Sequence, residues 1–175
     1  NERIESNLDA LVTFDSAAEE YMIRRSAELH MHQIANGGDP FEMGSARPLD
    51  FGHWAAHKLE SLTHSHLRLG EAVAIGIALD TRYSVLTGLL QKQAGDRVVS
   101  LLEHLGLRIF HPALLRAGED GKPLVLRGLD EFREHLGGEL PITLLTDLGT
   151  GHEVHEMDSE KVLEAMYWLR DREGG

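Results

Sequence analysis

The chain has 175 residues, 42% of them hydrophobic, with 17 Lys and Arg against 29 Asp and Glu for a net charge of −12. The length suits one domain with a real core, and so acidic a surface repels phosphate backbones, which argues against nucleic acid as a partner. The absence of cysteine excludes disulfides, thiolate nucleophiles and thiolate zinc sites and fits a cytoplasmic protein.

No signal peptide is visible. The longest apolar run, Ala72 to Leu79, is stopped by Asp80 and is too short for a membrane span. The chain opens at Asn1 inside what reads as a helical region, which suggests a fragment. Its 11 histidines make a metal or phosphate site worth seeking.

In chain order, Ala17 to Ile34 is rich in helix formers with apolar residues at roughly helical spacing. Asn36-Gly37-Gly38-Asp39-Pro40 ends it, and a loop runs on to Pro48. Gly52 to Leu62 is helical again, with Trp54, Leu59 and Leu62 toward a core. Leu69 to Leu90 is the strongest helix, and its first half is apolar almost all round, so it is expected to be buried on most sides. After Gly95, Asp96 to Leu105 reads as an amphipathic helix with Asp96 as N-cap and Gly106 as its stop. Pro112 to Arg116 gives a short helical turn. Leu129 to Leu136 forms a helix opened after Gly128 and closed by Gly137-Gly138. Ile142 to Leu145 is expected to be a strand that turns at Asp147-Leu148-Gly149-Thr150-Gly151 and returns to Val154 as a hairpin. Ser159 to Arg170, capped by Ser159 or Asp158, closes a mainly α chain read as one helical domain over residues 1–175.

The sharpest local feature is Asp50-Phe51-Gly52-His53-Trp54-Ala55-Ala56-His57-Lys58-Leu59-Glu60. His53 and His57 are four apart and share a helix face, which Glu60 and His64 continue. Two imidazoles one turn apart can both ligate a divalent ion, or one can ligate while the other holds an anion. The same spacing is common on ordinary helices, where it is surface chemistry. His64 and His66 flank Ser65 in a loop, and His30 and His32 cannot share a face. His152-Glu153-Val154-His155-Glu156 resembles a zinc-protease motif but has Glu156 where the second histidine must stand. No P-loop or dinucleotide loop is present.

The segment from Asp50 to Glu60, followed by Leu69-Gly70-Glu71-Ala72-Val73-Ala74-Ile75-Gly76, resembles the 3-dehydroquinate synthase superfamily of sugar-phosphate cyclases. Its pattern is N-x-G-H-T-x-G-H-A-I-E, a short loop, then H-G-E-A-V-A-I-G. The resemblance runs from about Ala18 to the hairpin. It implies the mainly helical C-terminal half of a two-domain enzyme, the N-terminal NAD-binding domain being absent from this chain. It also implies zinc and NAD as cofactors of the full-length enzyme, which is often a homodimer. There NAD oxidises a ring alcohol, phosphate is eliminated, the ketone is reduced again, and an aldol step closes a carbocycle. The fragment alone is expected to be inactive.

Carried over by position, His53 is expected to be a zinc ligand, and His57 to meet the substrate phosphate or help move its proton. Asp50, a catalytic candidate together with His57, stands where the synthases have Asn, and His32 about where they have a substrate-holding Lys. Arg47, in a loop that departs from the usual one, joins the substrate-binding candidates. Glu71 would lie beside the metal ligands. The family's second zinc histidine falls on Leu69, which cannot ligate and is expected to be buried in a structural role. The family's glutamate ligand belongs upstream of Asn1. Zinc is therefore expected to bind this chain weakly or not at all. Asp50 with no Lys at 32 resembles the sedoheptulose 7-phosphate cyclase branch, whose sugar phosphate has no carboxylate to hold. The alternative is a binding or scaffold module that kept the fold and lost the zinc site.

Overall fold

A computed structural model of the chain describes residues 2–36, 48–135 and 141–174. Eight helices precede, surround and follow a single two-stranded hairpin among these residues. Two short helices, α1 (Glu2–Glu5) and α2 (Leu8–Val12), lead into the long α3 (Ser16–Asn36). Asp15 starts α3 because its carboxylate accepts the N–H groups of Ala17 and Ala18 at 3.1 and 3.0 Å. After a 3-10 turn at Pro48–Asp50 come α4 (His53–Leu62), α5 (Leu69–Leu86) and α6 (Lys92–His104), then 3-10 turns at Pro112–Leu115 and Leu124–Leu126, and α7 (Arg127–His135). Then follow β1 (Ile142–Asp147), β2 (Thr150–Val154) and α8 (Ser159–Glu173).

The centre of the molecule is α5, which packs against α4, α6, α8 and β1. Its sequence explains this position: Ala72, Ile75, Ala78, Leu79 and Tyr83 are buried on several sides at once, as an all-round apolar helix must be. Around it, α8 contributes Val162, Ala165, Met166 and Leu169 at the spacing of one helical face. The hairpin pairs Ile142 with Val154 and Leu144 with His152, antiparallel, and buries Ile142 and Leu144. Ser84 fastens it to α5 by accepting the Leu145 N–H at 3.2 Å. Tyr83 fastens the start of α8 by accepting the Asp158 N–H on its Oη at 2.9 Å. Asp158, not Ser159, is the cap of α8, accepting the Glu160 N–H at 2.9 Å.

Two expected helix starts move for one reason. Helix α6 begins at Lys92 rather than Asp96, and α7 begins at Arg127 with Gly128 inside it. In both helices the glycine is a packing site rather than a boundary. A Cβ on Gly95 would lie 2.4 Å from Val85 Cγ2, and one on Gly128 would lie 3.0 Å from Lys58 Cβ. Helix α5 stops at Leu86 instead of Leu90, with Gly88 at φ +77° beyond its end. The stop expected at Gly137-Gly138 lies outside the described residues.

Candidate functional site

The start of α4 is set by a contact with almost no room. Gly52 precedes the helix at φ +83°, in the left-handed region that suits glycine. A Cβ on Gly76 of α5 would lie 1.9 Å from the Gly52 carbonyl oxygen, and a Cβ on Gly52 would lie 2.6 Å from the Ile77 nitrogen. Two glycines on different elements thus let backbone meet backbone and fix where α4 begins.

One turn further along α5, Asp80 has no exposed surface. Its Oδ1 accepts the Trp54 indole N–H at 2.8 Å, and its Oδ2 accepts the Gly52 backbone N–H at 3.1 Å. Burial pushes this carboxyl up to about 7, and the two hydrogen bonds only partly offset the loss of water. In the sequence, Asp80 reads only as the end of an apolar run, apart from the histidine face. The available signal was a charged residue inside an otherwise apolar helix, which needs a partner, together with a core tryptophan whose N–H needs an acceptor.

On this base the histidine face forms as the spacing requires. His53 is the first residue of α4 and is half-buried, with Nδ1 3.4 Å from the Phe51 carbonyl oxygen. His57, one turn on and exposed, has its ring centroid 5.8 Å from that of His53, with the planes 54° apart. Its Nδ1 stands 3.9 Å from Glu60 Oε2. Beside His57 a groove of about 300 Å³ is lined by Trp54, Lys58, Gly128, Glu131 and Phe132, and Lys58 is paired with Glu131 across it. A larger cavity of about 560 Å³ lies among α1, α2 and α3, away from this pair. At the far end of α4, the Arg116 guanidinium donates to the Leu62 carbonyl at 2.8 Å, satisfying a carbonyl of the helix's last turn.

The remaining candidates separate. Asp50 is half-buried at the end of the 3-10 turn before Gly52. His32 sits at an exposed position of α3. His64 and His66 are exposed in the α4–α5 loop, His64 at φ +52°. Arg47 lies outside the described residues. Glu71 is exposed, and its Oε2 accepts the Arg68 N–H at 2.9 Å, so it caps α5. Leu69 corrects the expectation of a buried residue: it is 44% exposed as the first residue of α5, ahead of the part of that helix that the core covers.

Among the described residues, no three His, Asp or Glu side chains converge as a metal ion requires. An imidazole pair with a carboxylate nearly 4 Å from one ring is an incomplete donor set. The described residues therefore do not fit a closed zinc site. Among the same residues, no helix is long and apolar enough to cross a membrane.

A mainly helical domain with a short hairpin near its C-terminus is the architecture the sequence resemblance implies. Residues 1–119 match the family model of the 3-dehydroquinate synthase C-terminal domain. The chain belongs to that family. A solved structure with the same fold is a 2-epi-5-epi-valiolone synthase from Streptomyces hygroscopicus subsp. jinggangensis 5008 with NAD+ and Zn2+ bound. It superposes at a TM-score of 0.81 with 22% sequence identity, covering 98% of this chain and 47% of that one. The chain thus spans about half the length of that protein, and at this identity the likeness speaks for fold.

Proposed function

We propose that this chain is the substrate-side half of a phosphate-eliminating sugar-phosphate cyclase that takes a sedoheptulose 7-phosphate-like substrate and works with an NAD-binding half. The observation that carries this reading is the His53–His57 face at the start of α4, set beside the buried α5 in a chain of the 3-dehydroquinate synthase C-terminal family. In this reading the exposed His57 receives the substrate phosphate or moves its proton. Asp50 accepts hydrogen bonds from sugar hydroxyls, and His32 and Arg47 hold the rest of the substrate. His53 supplies one ligand toward a metal whose other ligands lie outside the residues described here. Hydride chemistry belongs to the NAD-binding half, so this chain alone has no turnover.

The test is release of inorganic phosphate from sedoheptulose 7-phosphate, with NAD and a divalent metal, by this chain alone and joined to an NAD-binding half. The joined protein is expected to turn over, the chain alone to be silent, and His57→Ala to lower kcat/KM by about 10²-fold, the usual weight of a proton-transferring group. Turnover by the chain alone would overturn the reading.

The exposure of Leu69 and, among the described residues, the lack of a converged metal set favour a second reading, a scaffold module without metal chemistry. A calorimetric zinc titration of the chain beside Leu69→His separates the two. Stronger binding in the variant supports a family metal position disabled at residue 69. No turnover by the joined protein, with no zinc binding by either chain, favours the scaffold.

A further inference from the structure

We propose that Asp80 is the positioning residue of the histidine face, aiming His53 and His57 by clamping the chain on both sides of His53. The inference rests on the reading of that face as the functional site. Its basis is geometric. The two donors that Asp80 takes up, the Gly52 N–H and the Trp54 indole N–H, flank His53 in sequence, and each meets a different carboxylate oxygen. A carboxylate bound through both oxygens to two points on one helix start resists rotation of that start about its own axis. A single hydrogen bond would not.

Asp80 is four residues from Gly76, so the stripe of α5 that admits the Gly52 backbone also carries the clamp. The glycine contact sets how close α4 approaches, and the carboxylate sets how it is turned. No side-chain cap fixes the start of α4, since Gly52 carries no side chain with which to cap its own helix. Trp54 stands where the family pattern has Thr, and a threonine hydroxyl could not span the distance that the indole covers. The indole arm of the clamp therefore departs from that pattern, while the Gly52 arm lies within it.

The test is NMR of the histidine and tryptophan rings of this chain at one fixed pH, comparing the wild type with Asp80→Asn and Trp54→Phe. Asparagine offers an amide N–H₂ to one of the two donors and so breaks one arm of the clamp. Phenylalanine removes only the indole arm. With far-UV circular dichroism unchanged, the His53 ring resonances are expected to shift in both variants by more than those of His104, His111 and His152, which lie on other elements. His53 shifts within the range of those three histidines would reduce Asp80 to a core residue and overturn the proposal. Loss of the fold in both variants would overturn it too, because the pair would then support the whole domain instead of aiming one helix. No sugar phosphate enters the measurement. A joined protein that never releases phosphate from sedoheptulose 7-phosphate, with the His53 shift present in both variants of this chain, would sink the proposed function and leave the clamp standing.

Discussion

The α4–α5 junction and the α1–α3 arm are built on opposite principles. At the junction, Trp54, Ala55, Ala56, Leu59, Ile75, Ala78 and Leu79 are buried, and backbone touches backbone at Gly52 and Gly76. In the arm none of residues 2–35 is buried, while Phe14, Ile23, Leu29 and Met31 are between 54% and 76% exposed. The arm is held by local devices instead. Asp15 caps α3, the Arg3 guanidinium lies 4.3 Å from the Tyr21 ring centroid, and Arg97 of α6 reaches Glu5 of α1 with its Nε 2.6 Å from Oε1. The family match covers both regions. Membership therefore says little about where the folding energy lies: the junction draws on packing, and the arm on helix propensity and capping.

The largest expected effect comes from one methyl group at the junction. Gly76→Ala drives a Cβ to within 1.9 Å of the Gly52 oxygen, a backbone atom that cannot swing aside. Such overpacking costs about 3 kcal/mol or more and displaces the start of α4. Gly70, six residues earlier in the same helix, has nothing within 4 Å of an added Cβ. Gly70→Ala is expected to be neutral or to stabilise by up to about 1 kcal/mol through helix propensity. Urea midpoints of the two variants read the contrast directly. Equal midpoints would mean that the junction relaxes easily and is no more rigid than the arm.

A second, comparable effect depends on pH. Asp80 titrates from 3.8 in an exposed setting and from about 7 in the fold. Between those values the folded chain binds a proton that the unfolded chain does not. The contribution of Asp80 to stability is therefore greatest below about pH 4, falls as pH rises to about 7, and is flat above. A shift of this size corresponds to on the order of 4 kcal/mol. The wild-type stability curve minus that of Asp80→Asn, taken by urea unfolding from pH 4 to pH 8, isolates the term, since every other titrating group cancels. A flat difference curve would mean that Asp80 is ionised throughout and that its two donors fully offset its burial.

Residue spacing reveals the histidine pair because one helical turn is a local property, and it reveals α5 because a helix that is apolar all round has few places to go. It reveals the hairpin because turn residues sit between two apolar runs. What spacing alone could not reveal is set by other elements. Gly95 and Gly128 read as helix boundaries, yet each fills a close approach to a neighbouring helix. Leu69 reads as core, but it begins α5 before the neighbours of that helix arrive. Asp80 reads as the end of an apolar run, because its partners lie 26 and 28 residues away on another helix start.

The smallest effect lies in the arm and tests whether it belongs to the same cooperative unit. Asp15→Ala removes the acceptor for the Ala17 and Ala18 N–H groups and costs about 1 kcal/mol of α3 stability. If α3 opens independently of the core, that cost appears as about fivefold faster hydrogen exchange of α3 amides, while exchange in α5 and the urea midpoint stay unchanged. The absence of buried residues in the arm leads to this expectation, because nothing in the core is uncovered when α3 frays. A parallel fall in the urea midpoint would break the comparison. It would show that the Arg97–Glu5 pair and the Arg3–Tyr21 stack transmit the loss into α6, so that the arm is part of the folded core despite its exposure.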